Sequence, residues 1–256
     1  NLNLNKIRNL GLFCDENFNI LNNDNLELPN KSLITNLIKN NKNQKKSILT
    51  INTSDKQNLI LIKLKRNQKS IDNEKIGAKF YDFIKSNSII DITFVDKNFS
   101  NQKLGQLFIE EFLHGIELKS YEFKKYKSKK EVENFKINIF SNNNKFKITN
   151  SKRFNSLISG INFTKELVSE PGNILHPDEY AKRLSSLKKD GLKVTILDEK
   201  KLKKLGMNSL LGVGQGSIRG SYLVCLEWSG AKNNSKPLAF VGKGVCFDTG
   251  GISLKP

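Results

Sequence analysis

The chain has 256 residues, of which 37% are hydrophobic and 27% charged, so it can bury a core and is not a disordered polymer. No apolar run approaches the roughly 18–20 residues of a membrane-spanning helix, which excludes an integral membrane protein of that kind. The three cysteines are odd in number and far apart, which argues against a disulfide scaffold and favours a reducing compartment.

Positive charge is the strongest compositional signal, with 43 Lys and Arg against 25 Asp and Glu and a formal net charge of +18. Such a field attracts nucleic acid or acidic membrane surfaces. Nearly all of the excess is lysine, however, and arginine is the side chain preferred for forked contacts with phosphates and bases. The chain is also rich in Asn and Ile, as an AT-rich coding sequence favours. The charge therefore predicts a solvated surface rather than a nucleic-acid partner.

The first part of the chain alternates strand and helix patterns. Short β-branched or aliphatic runs predict strands, and apolar residues at helical spacing predict helices. In chain order these are strands at 47–52 and 59–64, a helix at 75–86, a strand at 89–95, a helix at 104–116 and a strand at 135–140. Such alternation predicts a sheet covered by helices.

Polar, turn-forming composition near Asn150 separates this part from a second periodic region and predicts a domain boundary there. A helical stripe at 154–168 ends before Pro171, and the run His176-Pro177-Asp178-Glu179 opens another helix. Buried strands are predicted at 192–197, 222–228 and 238–241. We therefore predict two αβ domains, at 1–150 and 151–256.

The segment that carries chemistry is the glycine-rich loop at 241–256, after the last predicted strand. Its glycines let the backbone approach a bound group closely, and open α/β sheets bind ligands at the carboxyl ends of strands. The loop holds one carboxylate, Asp248, and two amines, Lys243 and Lys255. A neutral lysine and a carboxylate can both bind a metal ion. The same pattern is also typical of a phosphate-binding loop or of a tight turn with solvated charges.

Residues 242–256 closely resemble the signature of the leucyl (cytosol) aminopeptidase family of dinuclear metallo-exopeptidases. The stretches 121–127, 167–175 and 211–217 are also similar to segments of that family, so the resemblance covers most of 121–256. It implies an α/β fold in which an amino-terminal αβ domain, 1–150, precedes the first half of a mixed-sheet αβα catalytic domain, 151–256.

The resemblance also implies roles for the three charged residues of the loop. Lys243 matches the lysine ligand of one divalent ion, Asp248 the carboxylate that contacts both ions, and Lys255 the catalytic lysine that hydrogen-bonds the scissile carbonyl. The implied cofactors are two divalent cations, Mn²⁺ or Zn²⁺, and the implied reaction releases amino-terminal residues, with a leucine-type preference, from peptides. A cytoplasmic homo-hexamer is the implied assembly.

The family places a further aspartate ligand and an Asp-x-Glu-Gly-Arg segment after this motif, and the sequence stops at Pro256, before them. It also opens on Asn1, and its single methionine is Met207. We therefore expect a fragment, cut at both ends and inactive by itself, of a larger aminopeptidase. Two rival functions stay open, namely a basic nucleic-acid-binding protein and a phosphate-binding module built on the loop at 242–251.

The remaining cysteines, histidines and tryptophan are expected to be structural. The prediction is a helix-cap or surface role for His176, a structural role for His114, and core packing for the others, which are Cys14, Cys225, Cys246 and Trp228.

Overall fold

The computed structural model describes residues 4–26, 28, 31–41, 46–100, 104–128, 135–143, 146–231 and 236–247. The chain divides into two compact units, Asn1–Asn162 and Phe163–Pro256. The long helix α5 (Ser151–Ser169) begins in the first unit and ends in the second. The boundary predicted near Asn150 falls at the residue just before this helix.

A five-stranded mixed sheet forms the centre of the first unit, with the strand order β2-β3-β1-β4-β5. Its strands are β1 (Asn9–Cys14), β2 (Ile48–Ser54), β3 (Gln57–Lys63), β4 (Asp91–Val95) and β5 (Lys136–Phe140). Only the β2–β3 hairpin is antiparallel. The central strand β1, in which every residue is buried, is absent from the sequence prediction because a strand covered on both faces shows no apolar–polar alternation.

Helices cover both faces of this sheet. They are α1 (Lys31–Asn41), α2 (Ser70–Ser86), the short α3 (Asp96–Phe99) and α4 (Phe108–Ser120). The side chain of Phe13 on β1 packs with those of α2 and α4, whereas Leu12 and Cys14 pack with α1 on the other face. Burial raises the pKa of the Cys14 thiol, and its predicted packing role is confirmed.

Among the described helices, none is long and apolar enough to cross a membrane.

Helices α2 and α4 approach each other backbone to backbone, through two glycines. A Cβ added to Gly77 would lie 2.0 Å from the carbonyl oxygen of Phe112, and one added to Gly115 would lie 2.0 Å from that of Glu74. Real Cβ atoms do not tolerate such distances, so this crossing requires glycine at both positions. The close approach brings Phe80 and Phe112 into ring contact, 5.4 Å between centroids, above the sheet.

Buried polar side chains of α4 hold the start of α5. The carboxylate of Glu110 accepts hydrogen bonds from the backbone N–H groups of Thr149 at 2.8 Å and Asn150 at 3.1 Å. The ring of His114 packs on that of Phe154, 4.9 Å between centroids, so the structural role predicted for His114 is confirmed. The start of α5 is therefore held by contacts within the first unit.

The second unit is a small αβ arrangement. It contains α6 (Pro177–Ser185), a 3₁₀ turn at Ser186–Asp190, β6 (Lys193–Leu197), α7 (Glu199–Lys204), α8 (Asn208–Gly214) and β7 (Leu223–Glu227). β6 and β7 form an antiparallel pair. The predicted start of α6 is confirmed, because His176 is its N-cap residue and Pro177 is the first helical residue.

Buried ion pairs join the end of α5 to α6. Glu170, whose side chain is only 1% exposed, accepts a short hydrogen bond from the guanidinium of Arg183, which also donates to Glu179 at 3.0 Å. The hydrogen bond with Glu170 is the main cause of the raised pKa of Arg183, and the hydrogen bond from Arg183 is the main cause of the lowered pKa of Glu179. Arg183 and Glu179 are therefore charged at neutral pH.

Several predictions about burial in the second unit are wrong. β6 and β7 form where strands were predicted, but Val194 is the only residue of these two strands that is buried. The segment predicted as a buried strand at 238–241 pairs with no described strand, and the side chains of Leu238, Phe240 and Val241 are 81%, 90% and 98% exposed. Trp228 and Cys225, expected in the core, are exposed as well. The physical reason is shared, because an apolar run becomes buried only where another element covers it, and no described element covers these residues.

The glycine crossing yields the first prediction. We expect Gly77→Ala to lower the free energy of unfolding of the first unit by about 1–3 kcal/mol, since the new methyl group must push α2 and α4 apart. The matched control is Gly160→Ala in α5, where an added Cβ meets no described atom within 4 Å; helix propensity favours that change by up to about 1 kcal/mol. Urea unfolding followed by circular dichroism measures both, and equal effects would contradict the packing argument.

The ion pairs of α6 yield the second prediction. Arg183→Met removes the ion pair made by the buried carboxylate of Glu170 and should destabilise the second unit by about 3–5 kcal/mol. Lys182→Met is the control, because the Lys182 side chain is 80% exposed and pairs with Glu179 at 3.4 Å, an interaction worth at most about 1 kcal/mol. The double variant Glu170→Met/Arg183→Met should recover most of the loss in denaturant unfolding. No recovery would mean that Arg183 acts through something other than Glu170.

Candidate functional site

The three residues predicted to form the site differ in whether the structure describes them. Lys243 lies in the described stretch 236–247, with an exposed side chain and no regular secondary structure around it. Asp248 and Lys255 lie outside the described residues. The predicted convergence of these three side chains therefore stays a prediction. The structure describes the backbone on both sides of Lys243.

Residues 243–247, called the Lys243 loop from here on, form a tight turn. The backbone N–H of Val245 donates to the carbonyl oxygen of Lys243 at 3.1 Å, and the thiol of Cys246 donates to that of Gly244 at 3.8 Å. These contacts turn the chain immediately after the lysine. No helix begins within the described residues 236–247, so the arrangement expected for a phosphate-binding loop at a helix amino terminus is not seen there.

The Lys243 loop lies against the turn that follows α5 and against the first turn of α6. A Cβ added to Gly244 would lie 2.8 Å from Cε1 of Tyr180. A Cβ added to Gly172 would lie 3.0 Å from Cδ2 of Phe247 and 3.2 Å from the carbonyl oxygen of Cys246. Both contacts place an aromatic ring directly on a glycine backbone, at a distance that larger residues would not allow.

The start of α6 gives this region its charge. Asp178 accepts a short hydrogen bond from His176 and one at 3.2 Å from the guanidinium of Arg219. Desolvation acts to raise the pKa of Asp178, but hydrogen bonds from its own backbone N–H and from His176, with the charges of His176 and Arg219, bring it below its usual range. Partial burial, followed by the negative charge of Asp178, raises the pKa of the Cys246 thiol. Cys246 is therefore a neutral thiol rather than a nucleophile.

The donors in the described part are too few to hold a metal ion alone. Within the described ranges, no group of three or more His, Cys, Asp and Glu side chains is close enough to bind one. Lys243 and Asp248 together would supply one nitrogen and one carboxylate, whereas each divalent cation takes about four to six ligands. A two-cation site therefore needs further ligands besides these two residues.

Sequence reasoning missed the residues that hold the Lys243 loop in place. Tyr180 and Gly172 belong to segments recognised as a helix and a turn, but a contact with residues some seventy positions later leaves no periodic signal. The ion pair of Glu170 and Arg183 spans a Pro-Gly turn rather than helical spacing, so it could not be predicted either.

Comparison with known proteins shows that part of the chain is similar to a known enzyme family. Residues 162–256 match the model described as the cytosol aminopeptidase family, catalytic domain. The "Probable cytosol aminopeptidase" of Phytoplasma australiense is 47% identical over 147 residues, which cover 57% of this chain and 30% of that protein. The protein of the same description from Caulobacter vibrioides is 61% identical over 102 residues, covering 40% of this chain and 21% of the relative. The chain thus spans about 30% or less of the length of these relatives.

Solved structures show the same fold over nearly the whole chain. A mutant of tomato leucine aminopeptidase matches with a TM-score of 0.72 at 21% identity, covering 96% of this chain and 53% of that one. The bottromycin maturation enzyme BotP in complex with Mn matches with a TM-score of 0.60 at 13% identity, covering 87% of this chain and 45% of that one. The predicted mixed α/β fold is confirmed. By sequence, residues 162–256 of this chain are thus similar to the catalytic domain of the cytosol aminopeptidase family, and the fold of the chain is similar to that of the tomato leucine aminopeptidase structure.

Proposed function

We propose that this chain is part of a cytoplasmic metallo-aminopeptidase that releases amino-terminal residues, with a leucine-type preference, from peptides. The observation that carries the proposal is the match of residues 162–256 to the catalytic domain of the cytosol aminopeptidase family, because the matched range includes the whole motif at 242–256. The descriptions of the curated relatives, which share up to 61% identity with this chain, support the same activity and location.

The proposed cofactors are two divalent cations, Mn²⁺ or Zn²⁺, which would supply a bound water of lowered pKa and a polarised substrate carbonyl. Lys243 and Asp248 are the proposed ligands, since an amine and a carboxylate stand five positions apart on one glycine-rich loop. Lys255 is the proposed catalytic residue, whose charged amine would stabilise negative charge on the scissile carbonyl oxygen. The Mn of the BotP structure supports the metal class.

We further propose that the missing ligands come from polypeptide beyond these 256 residues, and that the 256-residue chain alone does not turn over peptides. One amine and one carboxylate cannot complete the coordination of two cations. The curated relatives, most of whose length has no counterpart here, have room for the additional ligands. A homo-hexamer, implied by the resemblance, belongs to this larger protein.

Exposed apolar side chains on the second unit support this view. Large hydrophobic residues more than two thirds exposed are unusual on a monomer when so many occur on one small unit. In the second unit they are Val168, Val213, Ile218, Trp228, Leu238, Phe240, Val241 and Phe247. Such a surface is typical of one that packs against further polypeptide. The run at 238–241, apolar enough to predict a strand, would then become a strand when it is paired and covered.

The nucleic-acid rival has one observation in its favour. Lysines and aromatic residues alternate on the segment Tyr121–Ser128, where the rings of Phe123 and Tyr126 are 5.8 Å apart and the amine of Lys125 lies 5.5 Å from the Tyr126 ring. Glu122 on the same segment, however, pairs with Lys85 and Lys124, which lowers its pKa to about 2 and offsets part of the positive charge. The family match therefore outweighs the charge.

A chimera tests the proposed function. The 256-residue chain would be compared with the same chain continued by the carboxy-terminal part of the Phytoplasma australiense relative, from the end of the matched segment. With leucine p-nitroanilide and Mn²⁺, we expect turnover by the chimera and none by the 256-residue chain, and removal of the metal by EDTA should abolish the activity reversibly.

Two lysine variants of the chimera test the site. Lys243→Ala and Lys255→Ala should each lower kcat/KM by about 10²-fold or more. Lys236→Ala, an exposed lysine of the same segment outside the motif, is the matched control and should leave kcat/KM unchanged. Turnover by the 256-residue chain, or full activity of Lys243→Ala, would contradict the proposal.

A further inference from the structure

We propose that Tyr180 is a positioning residue for the Lys243 loop: its ring sets the backbone path at Gly244 and thereby the direction in which Lys243 leaves the chain. This inference deepens the proposed function and rests on it for its catalytic meaning. It concerns a residue of α6 that no part of the motif at 242–256 includes.

Tyr180 contacts the glycine that follows Lys243 but not the glycine that precedes it. From the position of a Cβ on Gly244, three atoms of the Tyr180 ring lie at 2.8, 3.4 and 3.7 Å, so the ring rests directly on the glycine backbone. Gly242, the neighbour on the other side of Lys243, has no described atom within 4 Å of such a Cβ. The contact with Tyr180 therefore begins at Gly244, and Lys243 is the residue just before the part of the backbone that this contact fixes.

The residues after Gly244 make further contacts of this kind. Phe247 and the carbonyl of Cys246 contact Gly172, although the side chain of Phe247 is otherwise 70% exposed. The backbone N–H of Val245 donates to the carbonyl oxygen of Lys243 and so closes a turn. Through this turn, the position of residues 244–247 also determines that of the Lys243 backbone. A shift of the Tyr180 ring would therefore move the backbone from which the Lys243 side chain starts.

Tyr180 can act in this way because its helix is itself fixed. α6 is capped at its start by His176, and Arg183 ties its last turn to the buried Glu170 at the end of α5. The ring of Tyr180 is half-buried on this platform. A metal ligand must be held within about 0.5 Å of its productive position, and such supporting contacts supply that precision.

The first test uses the 256-residue chain and a readout independent of activity. The rate of alkylation of Cys246 by iodoacetamide, followed by peptide mass spectrometry, reports whether the Lys243 loop is docked. We expect Tyr180→Ala and Gly244→Ala to raise this rate about threefold or more, because the loop opens more often. Tyr180→Phe, which keeps the ring, should match the unchanged protein.

Two controls sharpen this test. Gly242→Ala adds the same methyl group on the other side of Lys243, where it meets no described atom, and should leave the rate unchanged. The exposed Cys225 on β7 serves as an internal reference for the reagent and the reaction time, and circular dichroism of each variant reports that the unit is still folded. Equal rates for Tyr180→Ala and the unchanged protein, or an equal effect of Gly242→Ala and Gly244→Ala, would overturn the inference.

The second test uses the active chimera and Mn²⁺ as the probe. A positioning role predicts that Tyr180→Ala raises the Mn²⁺ concentration needed for half-maximal activity about tenfold, while kcat at saturating Mn²⁺ stays within about twofold. Tyr180→Phe should restore the original metal requirement. An unchanged Mn²⁺ requirement in Tyr180→Ala would overturn the inference. An inactive chimera combined with faster Cys246 labelling in Tyr180→Ala would instead reject the proposed function and keep the contact.

Discussion

Burial of an apolar strand requires hydrogen-bonding neighbours at its edges and packed side chains on its faces, and the two units of this chain meet that requirement differently. In the first unit, β1 pairs with β3 and β4 and is covered by helices on both sides, so all its residues are buried. In the second unit, β7 pairs only with β6 in the described part, and the residues at 238–241 pair with none. β1 therefore lies in a covered core, whereas the described part of the second unit carries exposed apolar side chains.

The boundary between the units coincides with a boundary in the comparisons. The second compact unit begins at Phe163, and the match to the catalytic domain of the family begins at residue 162. The first unit lies outside that match, yet the tomato leucine aminopeptidase structure covers 96% of the chain and so includes its fold. Helix α5, whose start is held by Glu110, is the covalent link between the two units.

Around the Lys243 loop, geometry depends on contacts that are individually small. Two glycines accept aromatic rings on their backbones, and a buried ion pair holds the helix that provides one of those rings. The buried pair adds little net stability by itself, because desolvation offsets much of the attraction, but removing one partner from a buried pair is destabilising. Its contribution is the placement of α6, on which Tyr180 and the start of the helix depend.

The sequence by itself determined the elements and the chemistry class. Hydrophobic periodicity located helices and strands such as α2 and β4, local rules placed the cap of α6 at His176, and the motif at 242–256 pointed to the family that the comparisons confirm. These features are encoded in neighbouring residues, so they survive without knowledge of the fold.

Tertiary structure alone decided which apolar residues are buried and what holds the lysine. Pattern cannot distinguish the run at 238–241 from a covered strand, because burial depends on elements distant in the sequence. For the same reason Trp228 was wrongly predicted to be buried. The central strand β1 was missed because its sequence shows no apolar–polar alternation. The contact of Tyr180 with Gly244 joins residues whose spacing follows no helical or strand period, and only the folded chain brings them together.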